Sequence, residues 1–137
     1  MYQKIMVPVD LENTEQLSGA LSVAQQIAEA NGSEVLIAGV HGGAPSSLAH
    51  NADEYQKKLD TYAASLPCAS VCKTSALPIY SRDPGVEIGP AIVKAAQDNE
   101  VQLIVMASHM PGWVEHVFHS NAGYVACHAT MSVFVVR

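Results

Sequence analysis

The chain has 137 residues, 49% hydrophobic and 15% charged, with a formal net charge of -6. That length accommodates one domain, residues 1–137, with its own core, and the composition excludes a disordered chain. The acidic balance excludes a nonspecific nucleic-acid or anionic-membrane surface, both of which need a basic stripe, so any phosphate binding has to come from local backbone geometry.

The first predicted element is a buried strand at Ile5-Met6-Val7. Pro8 has no N–H to give to a ladder, so the strand is expected to leave its pairing there, with Asp10 projecting from its carboxyl end. In an open α/β sheet that edge is where ligands bind, although Asp10 also reads as a helix cap or a loop acid. Leu17, Ala20, Leu21, Ala24, Ile27 and Ala28 recur at helical spacing, with Asn13 or Thr14 as the cap and Gly32 as a left-handed stop. Glu34 to Val40 is a near-continuous apolar strand, which completes a right-handed β-α-β unit.

His41-Gly42-Gly43-Ala44-Pro45-Ser46-Ser47 is a loop by composition. It has neither the lysine nor the G-x-G-x-x-G of a phosphate loop. Tyr55, Leu59, Tyr62, Ala63 and Leu66 give a second helix from Ala52 to about Ser65, ended by Pro67. A third strand is expected at Ser75 to Tyr80, irregular or edge-like because of Pro78. Asp83-Pro84 reads as a cap with a first-turn proline, and Ile88, Ile92, Val93 and Ala96 form the buried face of a third helix. Pro90 would remove a helical hydrogen bond unless the first turn is loose or begins late, so a distorted start is expected near Gly89.

Val101 to Met106 is the fourth strand. It runs out into Met106-Ala107-Ser108-His109-Met110-Pro111-Gly112, and a helix restarts at Ser120 after His119. A strand end facing a helix start offers N–H groups with no intrahelical partner and the positive end of a dipole, a place where anions settle. Val125 and Ala129 are expected to face the core from this last helix, and Met131 to Val136 is the fifth strand. The alternation of five strands with four helices predicts an α/β fold with a doubly wound parallel sheet.

These residues also carry a resemblance. Met-Ala-Ser-His-x-Pro at 106–111, x-Ser-Asn-Ala at 119–122, Cys127-His128-Ala129 and the closing Ser132-Val133-Phe134-Val135-Val136-Arg137 resemble the universal stress protein (UspA-type) family, in its small single-domain branch with a Ser-His-x-Pro loop. Together with Ile5-Met6-Val7-Pro8-Val9-Asp10 the likeness spans nearly the whole chain. It implies a Rossmann-like sheet in the order 3-2-1-4-5 and a homodimer formed by pairing two fifth strands, with Val133, Val135 and Val136 at the interface. It also implies an adenine-nucleotide ligand, ATP or AMP. Carried over by position, the base and ribose contacts fall on Pro8, Val9, Asp10 and Val40, with Met106 walling the base. The phosphate contacts fall on Ala107, His109, Met110, Ser120 and Asn121, with His119 just before the helix start. The family's pattern has glycine where this chain has Ala107, Met110 and His119. Of these, His119 matters most, because a Cβ in left-handed backbone costs on the order of 1 kcal/mol.

Two readings follow: a nucleotide-binding stress-response module, and a dimeric interaction protein with an occluded pocket. Catalysis is not supported, since Ser108 and His109 are adjacent in sequence without the geometry of a nucleophile and its base, and at most weak ATP hydrolysis is expected. His109, His116 and His119 could offer three imidazoles to zinc, but with no carboxylate-ligand pattern and no paired cysteines a metal site is not expected. Cys68, Cys72 and Cys127 lack framework spacing and read as reduced thiols, with Cys127 expected to be packed. No run reaches the roughly eighteen apolar residues of a membrane span. A cytoplasmic location is expected.

Overall fold

The computed structural model describes residues 1–46, 48–109 and 121–137. Its elements are β1 (Lys4–Val9), α1 (Ser18–Asn31), β2 (Glu34–His41), α2 (Ala52–Ser65), β3 (Thr74–Tyr80), α3 (Ile88–Asp98), β4 (Leu103–Ala107), α4 (Asn121–His128) and β5 (Ser132–Val136). The five strands form one parallel sheet in the order β3-β2-β1-β4-β5. This is the doubly wound α/β architecture expected from the sequence.

Two cores follow from the period-two alternation of strand side chains. Ile5, Val7, Val9, Val35, Ile37, Leu103 and Val105 are buried with the apolar stripes of α1 and α2. Met6, Leu36, Ala38, Ile104 and Met106 are buried on the opposite face with α3 and α4. Each central strand therefore has no polar face, which is why β1, β2 and β4 read as unbroken apolar runs.

Pro8 departs from expectation. It stays inside β1, in register with Ala38 of β2, and Val9 continues opposite Gly39. The strand does part from its other neighbour, because the β1–β4 ladder covers only Ile5↔Leu103 and Met6↔Ile104. The missing N–H thus coincides with an opening of the sheet between β1 and β4 at its carboxyl end. Pro78 lies in β3, opposite Gly39, and is tolerated there because β3 is an edge strand.

The expected cap on α1 is absent. The chain enters through a 3-10 turn, Thr14–Leu17, with no side-chain cap on Asn13, whose amide instead donates to the Asp10 carboxylate at 2.8 Å. Gly32 does supply the left-handed stop, at φ 67, with its N–H on the Ala28 carbonyl. At α3 the start falls later than Asp83. The Asp83 carbonyl accepts from the N–H groups of Val86 and Glu87 in a separate turn, and the helix begins at Ile88. Pro90 is then the third helical residue, where an N–H would have no intrahelical acceptor, so it costs nothing there. From α4, Ala122 and Val125 are buried, while Ala129 lies past the helix end and is only partly covered.

Candidate functional site

A cleft of about 390 Å³ opens at the carboxyl ends of β1 and β2, beside the point where strand order reverses. Open α/β sheets bind ligands at such a point, because the loops leaving the two strands diverge and leave backbone groups unpaired. Val9 and Asp10 reach it from β1, Val40 and His41 from β2, Tyr55 from α2, and Ile88 from the start of α3.

The position of Tyr55 begins with the cap of α2. The Asn51 side chain accepts from the Glu54 N–H at 2.9 Å, and the Glu54 carboxylate accepts from the His50 N–H at 3.0 Å. This reciprocal pair resembles a capping box and sets the phase of the helix, so that Tyr55, Leu59 and Ala63, four residues apart, all face the sheet. Tyr55 is buried, and its ring stacks on His41 with centroids 4.6 Å apart and planes at 28°. Burial, and then the Asp10 carboxylate, hold the Tyr55 phenol well above its ordinary range, so it stays protonated. Burial also holds the His41 imidazole below its ordinary value, keeping it neutral near pH 7.

Asp10 organises the turn that leaves β1. One carboxylate oxygen accepts from the Glu12 N–H at 3.0 Å and the other from the Asn13 amide at 2.8 Å. The loop after β2 is shaped by Gly43, whose φ of 75 places it in left-handed backbone, with Tyr80 packed beside it. The described lining carries two acids, Asp10 and Glu12, and neither lysine nor arginine. Such a wall, apolar at Val9, Val40 and Ile88 and acidic at Asp10, matches the donors of a sugar and the face of a base better than it matches a phosphate.

The remaining site residues expected from sequence are distributed as follows. Pro8 is buried in β1, and Met106 and Ala107 are buried in β4. None of the three lines the cleft. His109 is exposed just beyond β4. Asn121 opens the described part of α4, and its side-chain Nδ2 is buried without a hydrogen-bond partner among the described residues. Met110, His119 and Ser120 lie outside the described residues, as do Pro111, Gly112, Trp113 and His116. Among the described residues no group of three His, Cys, Asp or Glu side chains is placed to hold a metal, and no helix is long and apolar enough to cross a membrane. Cys127, expected to be packed, is exposed on α4.

Sequence reasoning missed His41, Tyr55 and Ile88 as cleft residues. The Asn51-x-x-Glu54 spacing was the available signal for Tyr55, because it sets which helix positions turn inward. His41 carried only the weak signal of a polar residue closing an apolar strand.

Fold and cleft together define a doubly wound α/β protein with an open cleft at the carboxyl ends of two neighbouring strands, β1 and β2. The model of the universal stress protein family matches residues 1–137, and the chain belongs to that family. No curated protein matches it at a significant level. Among solved structures it is similar to a universal stress protein from Archaeoglobus fulgidus, at 20% identity, 100% coverage of both chains and a TM-score of 0.73. It is also similar to that organism's universal stress protein in complex with dAMP, at 19% identity, 99% and 98% coverage and a TM-score of 0.72. A universal stress protein in complex with cAMP matches at 21% identity, 99% and 97% coverage and a TM-score of 0.70.

Proposed function

We propose that this chain is an adenine-nucleotide-binding regulatory protein of the stress response, acting in the cytoplasm as a homodimer paired through β5. The observation that carries the reading is the convergence of Val9, Asp10 and Val40 on one cleft beside the opening between β1 and β4. In this reading Val9 and Val40 offer backbone groups and apolar surface to the base, and Asp10 accepts from ribose hydroxyls. The phosphates lie toward Ala107, His109 and Asn121, with Met110, His119 and Ser120 in the Ser-His-x-Pro version of the loop completing their contacts. The buried Nδ2 of Asn121, without a partner among the described residues, supports this, since an anion accepting from it would satisfy the group. Complexes of similarly folded proteins with dAMP and cAMP support the ligand class. β5 has one neighbour in the sheet and an exposed Phe134, a combination that proteins usually cover. Three free cysteines fit a reducing compartment.

A second reading is a dimeric interaction protein whose pocket holds no nucleotide. It is favoured by the Asp10 carboxylate already serving Glu12 and Asn13, and by the lack of lysine and arginine in the described lining. Acid extraction of the purified protein followed by nucleotide chromatography, with titration of the stripped protein by ATP and AMP, separates the two. Extracted adenine nucleotide, or saturable binding, supports the first reading. A stripped protein that takes up neither nucleotide establishes the second.

A further inference from the structure

At the opposite end of α2 from Tyr55, the chain passes through a 3-10 turn, Pro67–Ser70, before entering β3 at Thr74. The turn is closed by the Cys72 N–H on the Cys68 carbonyl at 2.9 Å. A hydrogen bond of that span sets the two Cα atoms about 6 Å apart, inside the range a disulfide bridges. The side chains converge as well. Both sulfurs lie 3.7 Å from one atom, the Thr74 hydroxyl oxygen, and the Cys72 thiol turns back onto the Cys68 carbonyl at 3.1 Å. Cys68 is buried at 3% exposure and Cys72 is half-buried, so the pair has one inner and one outer thiol. Burial raises the Cys68 thiol pKa, and the adjacent Cys72 thiol adds to that shift, which leaves Cys68 poorly suited to meet an oxidant first. The third cysteine, Cys127, is on α4, which packs on the other face of the sheet and takes no part in this cluster.

We infer that Cys68 and Cys72 form a reversible dithiol switch, oxidised by hydrogen peroxide to an intrachain disulfide between the end of α2 and the start of β3. The Cys72 thiolate attacks one peroxide oxygen, the O–O bond breaks, and with one proton taken up the products are a Cys72 sulfenic acid and water. The Cys68 thiol then attacks the Cys72 sulfur, the S–O bond breaks, and its oxygen leaves as a second water while the S–S bond forms. Two electrons pass from the two thiols to the peroxide, and a thiol reductant returns them by exchange.

The test uses the whole folded chain, treated with hydrogen peroxide, then alkylated in denaturant and digested with trypsin. Both cysteines fall in the peptide of residues 59–73, between Lys58 and Lys73. The expected result is loss of both alkylatable thiols in that peptide, a mass lower by two hydrogen atoms than the reduced, unalkylated form, and full recovery with dithiothreitol. Cys127→Ser should behave as wild type, Cys72→Ser should form no ring, and Cys68→Ala should leave a Cys72 sulfenic acid that dimedone traps. The urea-unfolded chain should form the ring more slowly than the folded one. Equal rates in the two states overturn the inference, since the fold would then contribute no positioning. So does a peptide that keeps both thiols, or one carrying only sulfinic or sulfonic acids.

Discussion

The Tyr55 hydroxyl rests against the Cα of Gly39, so closely that a methyl group there would collide with it, and the ring carbon bearing the hydroxyl would stand only 3.1 Å from that methyl. The absence of a side chain on β2 is therefore what lets α2 lower a phenol onto the floor of the cleft. Gly39→Ala should destabilise the fold by about 1 to 3 kcal/mol, the range of an overpacked core. Tyr55→Phe removes the atom in worst conflict, so the double variant should lose less than the two single losses combined. Urea unfolding of the four proteins measures the coupling. Strict additivity would mean that the two residues do not meet.

His41 provides an acid-sensitive element on the same wall. Its folded pKa lies below the unfolded value of 6.5 because burial disfavours the imidazolium. Between those two values the unfolded chain binds more protons. The stabilisation is therefore complete above about pH 6.5 and is lost as pH falls from there through the folded pKa. Urea midpoints of wild type should decline across that window more steeply than those of His41→Gln. Parallel declines would assign the acid sensitivity to other groups.

Asp10 holds the turn after β1, and one substitution separates that role from the proposed ligand contact. Asp10→Ala removes acceptors from the Glu12 N–H and the Asn13 amide, for a stability loss of roughly 1 kcal/mol. If the carboxylate also holds ribose hydroxyls, nucleotide affinity should fall by a further 1.5 to 3 kcal/mol, roughly ten- to a hundredfold. Calorimetric titration on the folded variant checks it. A stability loss with unchanged affinity leaves Asp10 as a turn residue alone.

Pairing through β5 can be tested at two depths. Val135 packs partly against the core of α3 and α4, whereas Phe134 is 46% exposed. Val135→Lys should dissociate a β5-paired dimer and also weaken the fold, while Phe134→Lys should act on assembly with little effect on the monomer. Sedimentation of both variants beside wild type reads the outcome. A dimer that survives both changes is built on another surface.

Glu100 closes α3 in left-handed backbone at φ 56, with the Val101 N–H returning to the Ala96 carbonyl at 2.9 Å. Glycine is the residue such a stop favours, since a Cβ there carries strain of about 1 kcal/mol. Glu100→Gly should raise stability by up to about 1 kcal/mol, reduced by the added freedom of the unfolded chain. A lower melting temperature would show that Glu100 makes compensating contacts.

The sequence by itself determined the order and type of the five strands and four helices, because strands buried on both faces leave unbroken apolar runs and helices leave a 3.6-residue stripe. It also placed Val9, Asp10 and Val40 at strand ends, where their common fate on one sheet edge follows from parallel topology. Only the tertiary structure decided the rest. Pro8 stays in its strand because a central strand has two neighbours, and the chain yields on the β4 side alone. Pro90 is harmless because a separate turn forms at Asp83 and α3 begins only at Ile88. Tyr55 and His41 meet across 4.6 Å, and Cys68 and Cys72 converge on Thr74, through contacts between elements that no local pattern encodes. Propensity and periodicity act within a single segment, whereas a cleft or a thiol pair depends on how segments are set against one another, and packing alone supplies that placement.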